Sequence, residues 1–209
     1  MILIPLGFHC NVSFLNQSLK IKKETGLFEW FESRNLQHIT DVINTLTINY
    51  DSNIIYGNDK NIYLLNTNLY SRHYNIEEYK IIFLRRYSRF IHNINEDKNI
   101  YFVRVNPYGY STNKNEIILF IESIKKINSN IKFNFLLIET IQNECDFNLI
   151  TINNDNVIFH HKYFYKNDVN DVYMRNSPII YENYKKILKD IGYDIADTNN
   201  FIFSDMTDF

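Results

Sequence analysis

The residues with the clearest chemical potential lie in one short run, Pro5-Leu6-Gly7-Phe8-His9-Cys10-Asn11-Val12-Ser13. The apolar stretch from Ile2 to Leu6 stops at a glycine and reads as a buried first strand. From Val12 onward the apolar positions Val12, Leu15 and Leu19 follow helical spacing, which places Cys10 at a helix N-terminus. Unpaired backbone amides and the helix dipole there favour an anion, lower the pKa of a thiol and enrich the thiolate. The same amides, near Cys10 and Asn11, could serve as an oxyanion hole for a reaction at a carbonyl. Gly7 lets the chain turn tightly beneath the thiol. A plainer reading stands beside this one, because a lone cysteine next to an apolar strand often serves as a small core residue.

The second cysteine, Cys145, lies in the acidic loop Asn143-Glu144-Cys145-Asp146, where carboxylates work against a thiolate. Two cysteines are too few for a disulfide framework. A nucleophilic thiol needs a base within hydrogen-bond reach and a group to orient that base. Six histidines are available. His9 adjoins Cys10 and could line the same pocket, while His38 and His92 fall on predicted helices as surface residues. His73 sits in the polar stretch Ser71-Arg72-His73-Tyr74-Asn75, and His160 and His161 close a strand, where α/β sheets assemble their sites. Residue types alone do not choose among them. His160 and His161 are adjacent rather than four apart on a helix, and no Cys-x-x-Cys, His-Glu-x-x-His or glycine-rich phosphate loop occurs. No metal and no organic cofactor is expected.

Arginines suggest a different chemistry. Arg85 and Arg89 are four apart on one face of a predicted helix, with Arg86 beside them. Together with Arg72 and Arg104 they could hold phosphate or carboxylate groups bidentately. A solvated helix face paired with Glu77 and Glu78 accounts for them equally simply.

The elements that must position these groups follow from composition and periodicity. The chain has 209 residues and 25.2 kDa, the size of a single domain spanning residues 1–209, and hydrophobic residues make up 45% of it. Net charge −2 and pI near 6.3 argue against a polyanion binder, so no nucleic-acid duplex is expected as partner. Mean hydropathy is −0.31 and no apolar run approaches the roughly 18 residues of a membrane span. The opening apolar run is too short for a signal-peptide core. A soluble protein of the cytoplasm (the host's, for a viral protein) is the expectation. Asparagine and isoleucine are in large excess and alanine occurs once, at Ala196, a bias that resembles translation of an AT-rich genome.

Helices are predicted over Asn35–Leu46, Ile76–Ile94, Glu116–Ile127 and Ile179–Ile191, the last closed by Gly192. Strands are predicted over Asn99–Val105, Lys132–Ile138 and Asn156–His161, and residues 61–65 and 68–74 read as short strands or an irregular excursion. Strands and helices alternating at this spacing predict an α/β fold, with a mainly parallel sheet flanked by helices.

The run Leu6-Gly7-x-x-Cys10, a helix, and then Lys22-Lys23-Glu24-Thr25-Gly26-Leu27-Phe28-Glu29-Trp30 resembles a family of bacterial and viral proteins described as papain-like cysteine peptidases. Members of that family show a Leu-Gly-x-x-Cys opening, a Phe-Asp-Trp segment, a His after a short strand and an Arg-Arg-x-x-Arg-Phe helix. The matching positions here are His73 and Arg85-Arg86-Tyr87-Ser88-Arg89-Phe90, followed by the strand Ile100-Tyr101-Phe102-Val103-Arg104. The resemblance covers roughly residues 2–140, and position 29 is Glu where the family pattern has Asp. It implies Cys10 as nucleophile, His73 as base and Glu29 as orienting carboxylate, with Trp30 shaping the pocket and His161 or His160 in reserve. It also implies an α+β papain-like arrangement as the alternative to α/β.

Two functions are therefore expected as competitors. One is a cysteine-dependent hydrolase or acyl transferase acting on a small-molecule or peptide substrate, anionic if the arginines converge on the pocket. In that reading Gly7, His9, Asn11, Trp30, Arg85, Arg89 and His161 line the substrate site around Cys10, His73 and Glu29. The other is a protein that binds an anionic small molecule or nucleotide through the Arg85 and Arg89 face, either without catalysis or as a phosphodiesterase using the histidines. Neither reading calls for a membrane, and oligomeric state is left open.

Overall fold

The computed structural model describes residues 1–7, 11–21, 25–29, 31–48, 55–58, 61–64, 70–71, 76–96, 99–168 and 177–195. His9, Cys10, Trp30, Arg72 and His73 lie outside the described residues, as does the side chain of Asn11.

Strands β1 (Ile2–Pro5), β5 (Ile100–Asn106), β6 (Phe133–Ile141) and β7 (Val157–Tyr165) form one sheet in the order β1-β5-β6-β7. All three pairings are parallel. Around the sheet stand helices α1 (Asn11–Ser18), α2 (Leu36–Ile48), α3 (Ile76–Asn95), α4 (Lys114–Ile127) and α5 (Pro178–Asp190). Between α2 and α3 the chain forms a small antiparallel sheet of β2 (Ile55–Asn58), β3 (Asn61–Leu64) and β4 (Tyr70–Ser71). The fold is α/β, as periodicity predicted; the strands of the main sheet do not form the α+β alternative.

The two faces of the sheet carry separate cores, because side chains alternate along a strand. On β5, Ile100 and Phe102 join the cluster built by α2, α3 and α4, while Tyr101, Val103 and Val105 join the cluster built by α1 and α5. Every residue of β5 is buried, which fits the apolar run Ile100–Val103 that opens it. In the first cluster Phe102 packs edge-on against Phe120 and Phe133, with ring centroids 5.2 Å apart in each pair. The predicted helical stripe Leu36, Ile39, Val42, Ile43 and Leu46 is buried along its length.

The structure departs from the predicted boundaries in instructive places. Helix α4 begins two residues earlier, because Asn113 accepts from the Glu116 amide while the Glu116 carboxylate accepts from the Asn113 amide. Asparagine is so frequent here that no single one stands out as a cap. Strands β6 and β7 run three and four residues beyond their predicted ends. β2 lies outside the predicted excursion. Among the described residues, no helix is long and apolar enough to cross a membrane.

Candidate active site

All four parallel strands point their carboxyl ends to one side, where α/β sheets gather functional groups. There the Leu6 amide donates to the Val103 carbonyl at 2.8 Å, extending β1 by one residue before the chain turns. Gly7 makes that turn with φ +25°, and a Cβ at this position would stand 3.0 Å from the Phe31 carbonyl oxygen and 3.3 Å from that of Phe28. Residues 8–10 follow, and α1 begins at Asn11.

Arg104 secures this turn from beneath. It is 1% exposed, on the face of β5 shared with Phe102. Its Nη1 donates to the Leu6 carbonyl at 3.0 Å and the Gly7 carbonyl at 2.6 Å. Its Nη2 donates to the Ser33 carbonyl at 3.0 Å, and its Nε to Asn106 Oδ1 at 2.9 Å. Burial lowers the guanidinium pKa to about 10, against a smaller opposing pull from Glu116, so the charge persists at neutral pH. Arg104 was expected to be available to a ligand phosphate or carboxylate; the structure instead turns it onto backbone carbonyls.

A polar row continues from Arg104 across the sheet. Asn106 Nδ2 donates to Thr112 Oγ1 at 2.9 Å, and the Thr140 hydroxyl donates to the Asn106 carbonyl at 2.9 Å. The Thr112 amide donates to Glu139 Oε1 at 3.3 Å. Glu139 Oε2 lies 3.3 Å from Nε2 of His161, whose side chain is fully buried. The Ile150 amide donates to His161 Nδ1 at 3.0 Å, which assigns the ring proton of neutral His161 to Nε2, facing Glu139. The Phe147 ring covers the imidazole, 4.5 Å away between centroids. Gly7 and His161, at opposite ends of the sheet, are thus joined through Arg104, Asn106, Thr112 and Glu139. Both ring nitrogens of His161 already face protein groups.

The remaining sequence-predicted residues lie off this row. Glu29 is buried, and its carboxylate accepts from the Gly26 amide, closing the Gly26–Glu29 turn. Arg86 Nη1 donates to the Glu29 carbonyl at 3.5 Å and Arg89 Nη2 to the Thr25 carbonyl at 2.9 Å, so α3 holds that turn against β1. Phe28 and Phe31 reinforce it, packing against Phe90 and Tyr79 with centroids 6.0 Å and 5.3 Å apart. Within the Arg85 and Arg89 pair, Arg85 is exposed and Arg89 half-buried, and the arginine buried beside them is Arg86. A cleft of about 20 Å³, lined by Gly26, Arg86, Arg89 and Asn93 among others, lies where the turn meets α3. His160 faces Asn134 Oδ1 at 3.2 Å, its pKa lowered first by burial and then by Lys162. His92 pairs with Glu96 on the surface at 2.6 Å. Cys145 is exposed.

Sequence reasoning passed over Asn106, Thr112 and Glu139. The predicted strands stop at Val105 and Ile138, one residue before Asn106 and Glu139. Asn106 and Glu139 are direct cross-strand partners, a relation that register alone reveals. Polar residues just past two apolar runs were the available signal. Among the described residues, no group of three or more His, Cys, Asp or Glu could hold a metal ion. No family model matches this chain, nor does any curated protein or solved structure.

Proposed function

We propose that the protein is a cysteine-dependent hydrolase or acyl transferase with Cys10 as nucleophile. The observation that carries this reading is the connection from β1 to α1 at the carboxyl end of a parallel sheet, with Cys10 immediately before the first residue of α1. The unpaired amides of a helix start favour a thiolate and, in the reaction, a developing oxyanion. The Cys10 thiolate attacks the substrate carbonyl carbon, and the tetrahedral intermediate collapses to a thioester as the leaving group departs with a proton from His73. Water or an acceptor nucleophile, deprotonated by His73, then attacks the thioester and returns the thiol. His161 serves less well as that base, because Ile150 and Glu139 already face its two ring nitrogens. Glu29 and Trp30 stand in this reading as the groups that orient the base and shape the pocket.

A second reading, binding of an anionic small molecule, draws on the cleft beside Arg86 and Arg89. At about 20 Å³ it has room for roughly one water, and a phosphate would have to open it. That favours the first reading.

Alkylation of Cys10 by iodoacetamide across pH tests the proposal, with Cys145→Ser as the background protein. A nucleophile alkylates with a midpoint well below the unperturbed value of about 8.5 and loses that property in His73→Ala. A thiol inert until the protein unfolds would make Cys10 a core residue and sink the hydrolase. Binding of inorganic phosphate, lost in Arg89→Ala, would then support the second reading.

A further inference from the structure

We propose that the protein associates with a second copy of itself through the outer face of α3, the two helices lying antiparallel about a two-fold axis at Ile81.

With 20 residues, α3 is the longest of the described helices, about 30 Å from end to end. Its inner face carries Tyr79, Phe83, Phe90 and Ile94 into the core. Its outer face presents Glu77, Glu78, Ile81, Leu84, Arg85 and Ser88, all exposed. On a helix that meets only water this face is polar. Here its centre holds Ile81, 76% exposed and the most exposed large hydrophobic side chain among the described residues, with Leu84 at 48% three residues on. A single exposed isoleucine calls for no explanation, but two aliphatic side chains that adjoin on one helix face form a patch.

The charges around the patch point to what covers it. Glu77, Ile81 and Arg85 are spaced four apart, so they follow one another along the same face, with an acid before the isoleucine and a base after it. In an antiparallel pair centred on Ile81, the residue four places before it in one copy faces the residue four places after it in the other. Ile81 then meets its own counterpart, and Glu77 of each copy faces Arg85 of the other, which sets an ion pair on either side of the apolar contact. Glu78 and Leu84 stand three places to either side and are related in the same way, the leucine lying against the methylene stem of the glutamate. A parallel pair would set acid against acid and base against base, so the pattern selects one orientation. Within one copy Glu77 pairs with Lys80 at 2.8 Å, a contact between exposed groups that contributes little and does not compete strongly. Two helix faces bury less area than a standard interface, so the dimer is weak and forms as concentration rises.

Sedimentation velocity over a hundredfold range of concentration, reaching several hundred micromolar, tests the proposal. Reducing buffer is used because Cys145 is exposed. The proteins compared are wild type, the double variant Glu77→Lys with Glu78→Lys, and Arg85→Glu, each checked for fold by circular dichroism. The wild-type mass is expected to rise from 25.2 kDa towards twice that value. Each variant alone opposes like charges across the axis and stays monomeric. An equimolar mixture of the two variants associates again, because the reversed acids of one face the reversed base of the other. A wild type that remains monomeric at every concentration would overturn the proposal, as would a dimer that either charge reversal leaves intact. A mixture that stays monomeric while wild type dimerises would overturn the antiparallel pairing on which the proposal rests.

Discussion

Replacing Gly7 by alanine tests the turn on which the whole site depends. At φ +25° a residue bearing a Cβ is strained by about 1–2 kcal/mol whatever surrounds it. Here the surroundings add to that. The new methyl would sit 3.0 Å from the Phe31 carbonyl oxygen and 3.3 Å from that of Phe28, and both belong to a segment whose rings are completely buried. Backbone held in this way cannot yield cheaply, and overpacking of this kind costs about 1–3 kcal/mol. Alanine also stiffens the unfolded chain, which offsets about 0.4–1 kcal/mol. The net loss is about 1–4.5 kcal/mol, and with a urea slope near 2 kcal/mol/M the unfolding midpoint falls by about 0.5–2 M. Gly109 is the control. It has φ +84° with nothing within 4 Å of its would-be Cβ, so Gly109→Ala carries only the backbone strain, a net loss below about 1 kcal/mol. Urea melts of the two variants, followed by circular dichroism and by the fluorescence of the single tryptophan, measure the difference. Equal midpoints for Gly7→Ala and Gly109→Ala would refute the claim that the Phe28 and Phe31 carbonyls close over the turn.

Two further outcomes are expected. The Tyr184 hydroxyl donates to Asn16 Oδ1 at 2.9 Å with both residues buried, so Tyr184→Phe leaves the amide oxygen without that donor and costs about 1–3 kcal/mol. Burial also holds the Tyr184 pKa well above the ordinary tyrosine value, so in a spectrophotometric titration one tyrosine ionises only as the protein unfolds; neither effect is expected if α5 packs loosely on α1. The pKa values of His38 and His160 are both lowered, by burial first in each case. A histidine with a lowered folded-state pKa binds fewer protons than in the unfolded chain, so its contribution is complete above about pH 6.5 and is lost as pH falls below that value. Urea midpoints are expected to decline from pH 7 to pH 5 and to decline less in the His38→Gln, His160→Gln double variant; an identical slope in the two proteins would contradict the assignment.

Local sequence determined the types of element and much of their extent. The 3.6-residue spacing of Leu36, Ile39, Val42, Ile43 and Leu46 required a helix with one buried stripe, and α2 buries that stripe in the core it shares with α3 and α4. The apolar run Ile100–Val103 that opens β5 required a strand covered on both faces, and Gly192 at φ +80° closes the turn after α5. These signals are legible because they depend on neighbours a few residues away. Even the place of Cys10 between a strand and a helix belongs to this class.

Tertiary structure decided the rest. Whether Arg85 or Arg86 turns inward depends on the phase at which α3 meets β1 and the Thr25–Glu29 turn, and one residue of rotation exchanges solvent for core. The row from Gly7 to His161 exists because the strand order sets β5 and β6 side by side with Asn106 opposite Glu139. A polar residue at the end of an apolar run announces that it needs a partner. It does not say which strand supplies one, since parallel neighbours are separated by a whole crossover and their register is a long-range property. For the same reason Arg104, an arginine within an apolar strand, could be read as a ligand's anchor from sequence; its partners, the carbonyls of Leu6, Gly7 and Ser33, are 98, 97 and 71 residues away along the chain.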